Sequence, residues 1–191
     1  MSMDFNDAES NSSFDLIPTG TIAPMVLTIR PGAHGEGGWE TKSNSSDATY
    51  LNCEFQITAG KYANRKFWGN LVVSGGKADE NGQSIAGNIS RSTLRGILES
   101  ARQIKPDDES DDAKKKRVVS GYGDFSGMEF VGKIGIEKGT GGYEDKNKLV
   151  AAVPVTSKDY AAAKSGASAS GSPAPSPSNA PSGSAVPSWA A

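Results

Sequence analysis

The sequence predicts a mainly β domain with one helix set into it, and three observations carry that reading. Between residues 16 and 160 apolar and polar residues mostly alternate, the period-2 pattern of half-buried strands. One segment, 84–104, breaks that rhythm with apolar residues three and four apart, the spacing of a helix face. After Lys164 the composition collapses to uncharged Ser, Ala, Pro and Gly, which cannot bury enough surface to offset the entropy of ordering it. The expected organisation is an acidic N-terminal segment (1–15), a folded domain (16–160) and a disordered tail (165–191).

Each element follows from its own pattern. In "TIAPMVLTIR" (21–30) Ala23, Met25, Leu27 and Ile29 share one side, and Pro24 suits an edge or the start of a strand. In "ATYLNCEFQIT" (48–58) Leu51, Cys53, Phe55 and Ile57 face one way, and Tyr50, Asn52, Glu54 and Gln56 the other. The turn "AGKYAN" leads into "RKFWGNLVV" (65–73), where Phe67, Gly69, Leu71 and Val73 alternate with Lys66, Trp68, Asn70 and Val72. A helix over 84–104 buries Ile85, Ile89, Leu94, Ile97, Leu98, Ala101 and Ile104, turns Arg91, Arg95 and Arg102 to solvent, and stops before Pro106. The charge run 107–117 reads as a short solvated helical turn held by i,i+4 pairs. Two strands close the domain: "GMEFVGKIGIEK" (127–138), with Met128, Phe130, Ile134 and Ile136 inward, and "KNKLVAAVPV" (146–155), with Leu149, Ala151, Val153 and Val155 inward.

Three strands, a helix and two strands is the order of an OB-like barrel, the five-stranded Greek-key fold with one helix between its third and fourth strands. Two Gly-rich connections strengthen that expectation. Residues 31–47 carry Trp39 and residues 139–145 carry Tyr143, and they occupy the loops with which OB-folds close over single strands and sugars.

Composition narrows the function. The chain has 191 residues, 36% hydrophobic and 22% charged, with a formal net charge of −2, so it is no polybasic nucleic-acid binder. Four acids, Asp4, Asp7, Glu9 and Asp15, fall in the first fifteen residues, which leaves the remainder close to neutral or slightly basic. A single cysteine, Cys53, excludes an intramolecular disulfide and a cysteine zinc site, and a single histidine, His34, excludes a His-pair metal motif. No apolar stretch approaches membrane-spanning length, and the polar N-terminus carries no apolar export core, so a cytoplasmic protein is expected. Enzymatic readings lack parts: there is no nucleophile elbow, and His34 sits in a Gly-rich loop without a nearby nucleophile. Asp107, Asp108, Asp111 and Asp112 could hold a cation, but within a mixed-charge run a solvated surface is the simpler reading. The expectation is a non-enzyme without cofactor or metal.

Binding fits better. Trp68 and Lys66 share the outward side of their strand, with Asn70 beside them, Arg65 at its start and Tyr62 in the preceding turn. If the second and third strands form a hairpin, Tyr50 belongs to the same surface, and such a surface offers rings for unpaired bases and cations for phosphates. Trp39, Lys133, Tyr143, Lys146 and Lys148 are expected to extend it from the loops and the last hairpin, and Trp189 in the tail is the expected anchor for a protein partner. The competing expectation is that Trp68 packs beneath the helix or tail.

Three segments also carry a family resemblance: "FDLIPTGTIAPMVLTIRPG", "YLNCEF" with "ITAGKYANRKFWGNLVVSG", and "GMEFVGKIGIEKG" with "GYEDKNKLVAAV". Over most of residues 3–155 the chain resembles a family of tailed-bacteriophage proteins of unknown function that look like single-stranded DNA-binding proteins with an OB-like barrel. The resemblance implies a phage protein acting on single-stranded DNA in replication or recombination, in the cytoplasm of a bacterial host. It places Arg65, Lys66, Trp68, Tyr143 and Lys146 in the most recognisable motifs. One departure stands out: single-strand binders often end in an acidic tail, and this tail has no acid. Either phage or host replication and recombination proteins read the apolar end of the tail, or the recruiting function is missing and the acidic N-terminus substitutes for it. The near-neutral charge leaves a non-enzymatic protein-interaction adaptor in replication or counter-defence as the alternative function.

Overall fold

A computed structural model describes Asn6 and residues 15–165. The chain runs β1 (Ile22–Arg30), β2 (Thr41–Lys42), β3 (Thr49–Ile57), β4 (Lys66–Ser74), α1 (Ile85–Arg102), α2 (Asp111–Lys116), β5 (Met128–Glu137), β6 (Lys146–Ala152) and α3 (Lys158–Lys164), with 3-10 turns at Glu36–Gly38 and Tyr122–Phe125. All strand pairings are antiparallel: β4 pairs β3, β3 pairs β1, β1 pairs β5 and β5 pairs β6. Cα atoms of the two terminal strands, β4 and β6, come within 8 Å of each other, yet no hydrogen-bonded ladder joins them. The fold is therefore mainly β, with an antiparallel sheet of six strands that is not closed by hydrogen bonds.

Alternation places the core where the sequence predicts. Met25, Leu27 and Ile29 of β1, Leu51, Cys53, Phe55 and Ile57 of β3, Phe67 of β4, and Phe130 and Ile134 of β5 are all buried on one side. Phe55 sits at its centre, stacked on Phe67 with ring centroids 5.2 Å apart and edge-on to Phe130 at 6.4 Å. Cys53 lies wholly inside, and burial pushes its thiol up to about 12, so it behaves as a small apolar side chain. Leu94, Ile97 and Leu98 of α1 cap the same core. Buried Asn147 straps the N-terminal segment to it, accepting from the Ile17 amide at 3.0 Å and donating to the Ile17 carbonyl at 2.8 Å.

Several expectations change. A sixth strand, β2, forms inside the long loop, where Thr41 pairs Tyr50 and Lys42 pairs Thr49. Among the described residues there are three α-helices where one helix and a short helical turn were expected; α2 falls in the expected turn, and the unexpected α3 runs across residue 160. It packs through Tyr160 and Ala163 on Val131, the outward neighbour of Phe130, and the Tyr160 hydroxyl donates to the Ser100 carbonyl at 2.8 Å. In β6 a bulge makes Leu149 face Ile134 and Ala151 face Lys133, so Val150 is the extra residue. Ala151 is thereby exposed and Ala152 packs on the core in its place. In α1, Ile85 and Ile89 are 45% and 64% exposed, and the buried apolar residues of the helix begin only at Leu94. Arg95 and Arg102 are not a plain solvated face. Arg95 pairs with buried Glu99 at 2.8 Å, Arg117 reaches the same Oε1 at 2.8 Å, and Arg102 donates to the Lys116 and Val118 carbonyls. These bonds hold the segment 105–118 against α1.

Candidate nucleic-acid interface

The outward face of β4, β3 and β1 is built from rows of cross-strand neighbours. Trp68 lies opposite Glu54 and Glu54 opposite Thr28; Asn70 lies opposite Asn52 and Asn52 opposite Arg30; Lys66 lies opposite Gln56, and Val72 opposite Tyr50. Direct and diagonal neighbours on one face of such a ladder are close enough for long side chains to meet. Glu54 is the centre of the arrangement. Its Oε1 takes Lys66 Nζ at 2.6 Å, and its Oε2 takes Arg30 Nη2 at 2.5 Å and the Trp68 indole N–H at 3.2 Å.

This carboxylate is only 8% exposed although it sits on the outer face, because the side chains that grip it also cover it. Hydrogen bonds from Lys66 and then Arg30 bring its pKa from 4.5 down to about 2, against the opposing effect of desolvation. It is ionised throughout the neutral range, and with two cations on it the cluster keeps one net positive charge. The Trp68 ring, 50% exposed, is pinned by its N–H to Glu54 and presents a fixed apolar surface beside those cations.

The expected site residues divide. Lys66, Trp68, Asn70 and Tyr50 share the outward face, and only the first two belong to the Glu54 cluster. Arg65 is turned to the N-terminal segment, where Nη2 donates to the Asp15 carbonyl at 2.7 Å. Tyr62 is half-buried against the core with Lys61 Nζ 5.3 Å from its ring centroid, so it is not an open platform. Trp39 is also turned inward, contrary to the expectation of a loop aromatic. Gly35, Gly37 and Gly38, all at positive φ, fold the loop back on itself, and Gly123 makes room for the ring: a Cβ there would lie 2.7 Å from it.

Lys133, Tyr143, Lys146 and Lys148 sit on the β5–β6 hairpin, with Tyr143 83% exposed at its tip and Lys146 3.4 Å from Glu137. The tip is held by Lys138, 2.5 Å from Asp145, whose carboxylate also accepts the Gly139 amide. No hydrogen bond or ion pair joins these hairpin residues to the Glu54 cluster, although Lys146 and Lys148 lie on the strand that approaches β4. Trp189 lies outside the described residues. Sequence reasoning missed Arg30 and Glu54; an acid among outward polar positions beside Lys66 was the available signal.

A comparison with protein-family models finds no match, and a comparison with curated proteins finds none. Among the described residues no helix is long and apolar enough to cross a membrane.

Proposed function

We propose that this protein binds single-stranded DNA without regard to sequence, as a phage protein of DNA replication or recombination in the bacterial cytoplasm, and that it is not an enzyme. The observation that carries the reading is the half-exposed Trp68, fixed by Glu54 between Lys66 and Arg30. An aromatic face flanked by cations suits a strand whose bases stack while its phosphates are neutralised, each stacked base contributing about 1–3 kcal/mol. The strand order β4-β3-β1-β5-β6 is the one an OB-like barrel uses, and the approach of β4 to β6 supports reading the sheet as such a barrel. Bases would then stack along β3 and β4, with Tyr50 and Asn70 on the same face, and Tyr143, Lys133, Lys146 and Lys148 would meet the strand from the hairpin.

Titration of a fluorescein-labelled oligo-dT with the full chain tests this by anisotropy. The expected result is saturable binding at low salt that weakens as salt rises; no binding at low salt overturns it. The second reading, a protein-interaction adaptor, is favoured by the exposed Ile85 and Ile89 and by the near-neutral charge. Retention of a phage or host protein by the immobilised chain, with none on single-stranded DNA-cellulose, would decide for it.

A further inference from the structure

A cleft of about 690 Å³ opens between the Ser74 end of β4, the N-terminal half of α1 and the Tyr122–Phe125 turn. Its size is that of a small-molecule site. The floor is apolar, made by Val73, Leu94, Val119, Tyr122 and Phe125, and the rim is polar, with Gln83, Asn88 and Arg91. Gly87 holds the wall close: a Cβ there would lie 2.7 Å from the Val73 carbonyl oxygen, so α1 lies directly on β4.

Two side chains in the cleft are left without partners by the fold. Ser90 is 6% exposed and lines the cleft, yet its hydroxyl makes no hydrogen bond to the described residues. No fully enclosed side-chain polar atom among those residues lacks a partner, so this hydroxyl opens to the cleft. A hydroxyl so nearly buried is normally satisfied by a partner, and here a ligand can supply one. Arg91 is the second. Arg30, Arg65, Arg95, Arg102 and Arg117 are all engaged by carboxylates or carbonyls, whereas the Arg91 guanidinium makes no hydrogen bond or ion pair among the described residues. At the Tyr122 hydroxyl burial and then Glu40, which lies outside the cleft lining, outweigh the opposing effect of Arg91, so an anion is favoured at the Arg91 and Asn88 rim and not at the Tyr122 end. The first turn of α1 borders that rim and adds the positive end of its dipole.

We propose that this cleft binds one nucleotide unit, its base on the apolar floor within reach of the Ser90 hydroxyl and its phosphate held by Arg91 and Asn88. A planar apolar body with one anionic group matches both halves of the lining, and the arginine fork suits a phosphate. The source is either a free mononucleotide or the 5′-phosphorylated end of a strand. The site stands apart from Trp68 and does not rest on the outer face binding DNA.

Amide NMR spectra of the full chain, titrated with dAMP, adenosine and inorganic phosphate, test the proposal. dAMP is expected to shift the Ser90, Arg91 and Tyr122 amides saturably, with adenosine and phosphate each at least about tenfold weaker. Arg91→Ala should weaken dAMP about tenfold while leaving the rest of the spectrum in place. Shifts at the same amides from a 5′-phosphorylated oligo-dA, absent with its unphosphorylated form, assign the site to strand ends; without them it belongs to the free nucleotide. Absence of cleft shifts at millimolar dAMP, equal shifts from phosphate alone, or an unaltered affinity in Arg91→Ala each overturns the proposal.

Discussion

Glu54 decides what the outer face can offer a ligand, because one carboxylate sets the position of two cations and an indole. Its pKa lies below the ordinary value, so its contribution to stability is present above about 4.5 and is lost as pH falls toward about 2. Urea denaturation of the native protein across that window should show a fall in stability that Glu54→Gln reduces. The same substitution keeps an oxygen for the Trp68 N–H and removes the negative charge between Lys66 and Arg30. Oligo-dT affinity measured by anisotropy at low salt should therefore rise, and its salt dependence should steepen. A second residue prediction concerns Asn147: Asn147→Ala leaves the Ile17 amide and carbonyl without their partner and should cost about 1–3 kcal/mol by urea denaturation. Alternation within β4 was enough to send Trp68 outward and Phe67 inward. The cluster itself was not legible, because Arg30 reaches Glu54 from β1, and only the order β4-β3-β1 makes them neighbours.

At the scale of elements, the strands and α1 were readable because burial on one side imposes a period on the sequence, while the connections obey contacts between distant residues. Trp39 illustrates the difference. Nothing near residue 39 says that Gly123, eighty-odd positions away, will leave space for its ring. Gly123→Ala should push the indole outward, cost about 1–3 kcal/mol and move Trp39 emission to longer wavelength, as seen by denaturation and fluorescence. The charge run was read correctly as a helical turn, yet its anchor is Arg117, which reaches Glu99 and the carbonyls of Lys105 and Asp108. Arg117→Ala leaves Glu99 to Arg95 alone. Limited proteolysis should then cut within 105–118 far faster than in the native chain, with the sheet intact.

For the whole molecule, a net charge of −2 means that nucleic-acid binding must come from a local arrangement and not from a general field. The one net positive charge of the Glu54 cluster at Trp68 and a few cations on the hairpin correspond to a modest salt dependence, with a slope of log affinity on log salt of roughly −1.5 to −3. A slope near zero would point to a protein partner. Where the five long strands and α1 fall was legible from the chain alone, but how β4 and β6 meet was not, since that depends on sheet curvature and not on any local pattern. The central claim, that Trp68 is a stacking platform, is tested most directly in the Trp39→Phe/Trp189→Phe variant, whose one remaining tryptophan is Trp68. Addition of oligo-dT at low salt should quench its fluorescence saturably and high salt should restore it. Emission unchanged by oligonucleotide, whether or not the oligonucleotide binds, would contradict a stacking role for Trp68.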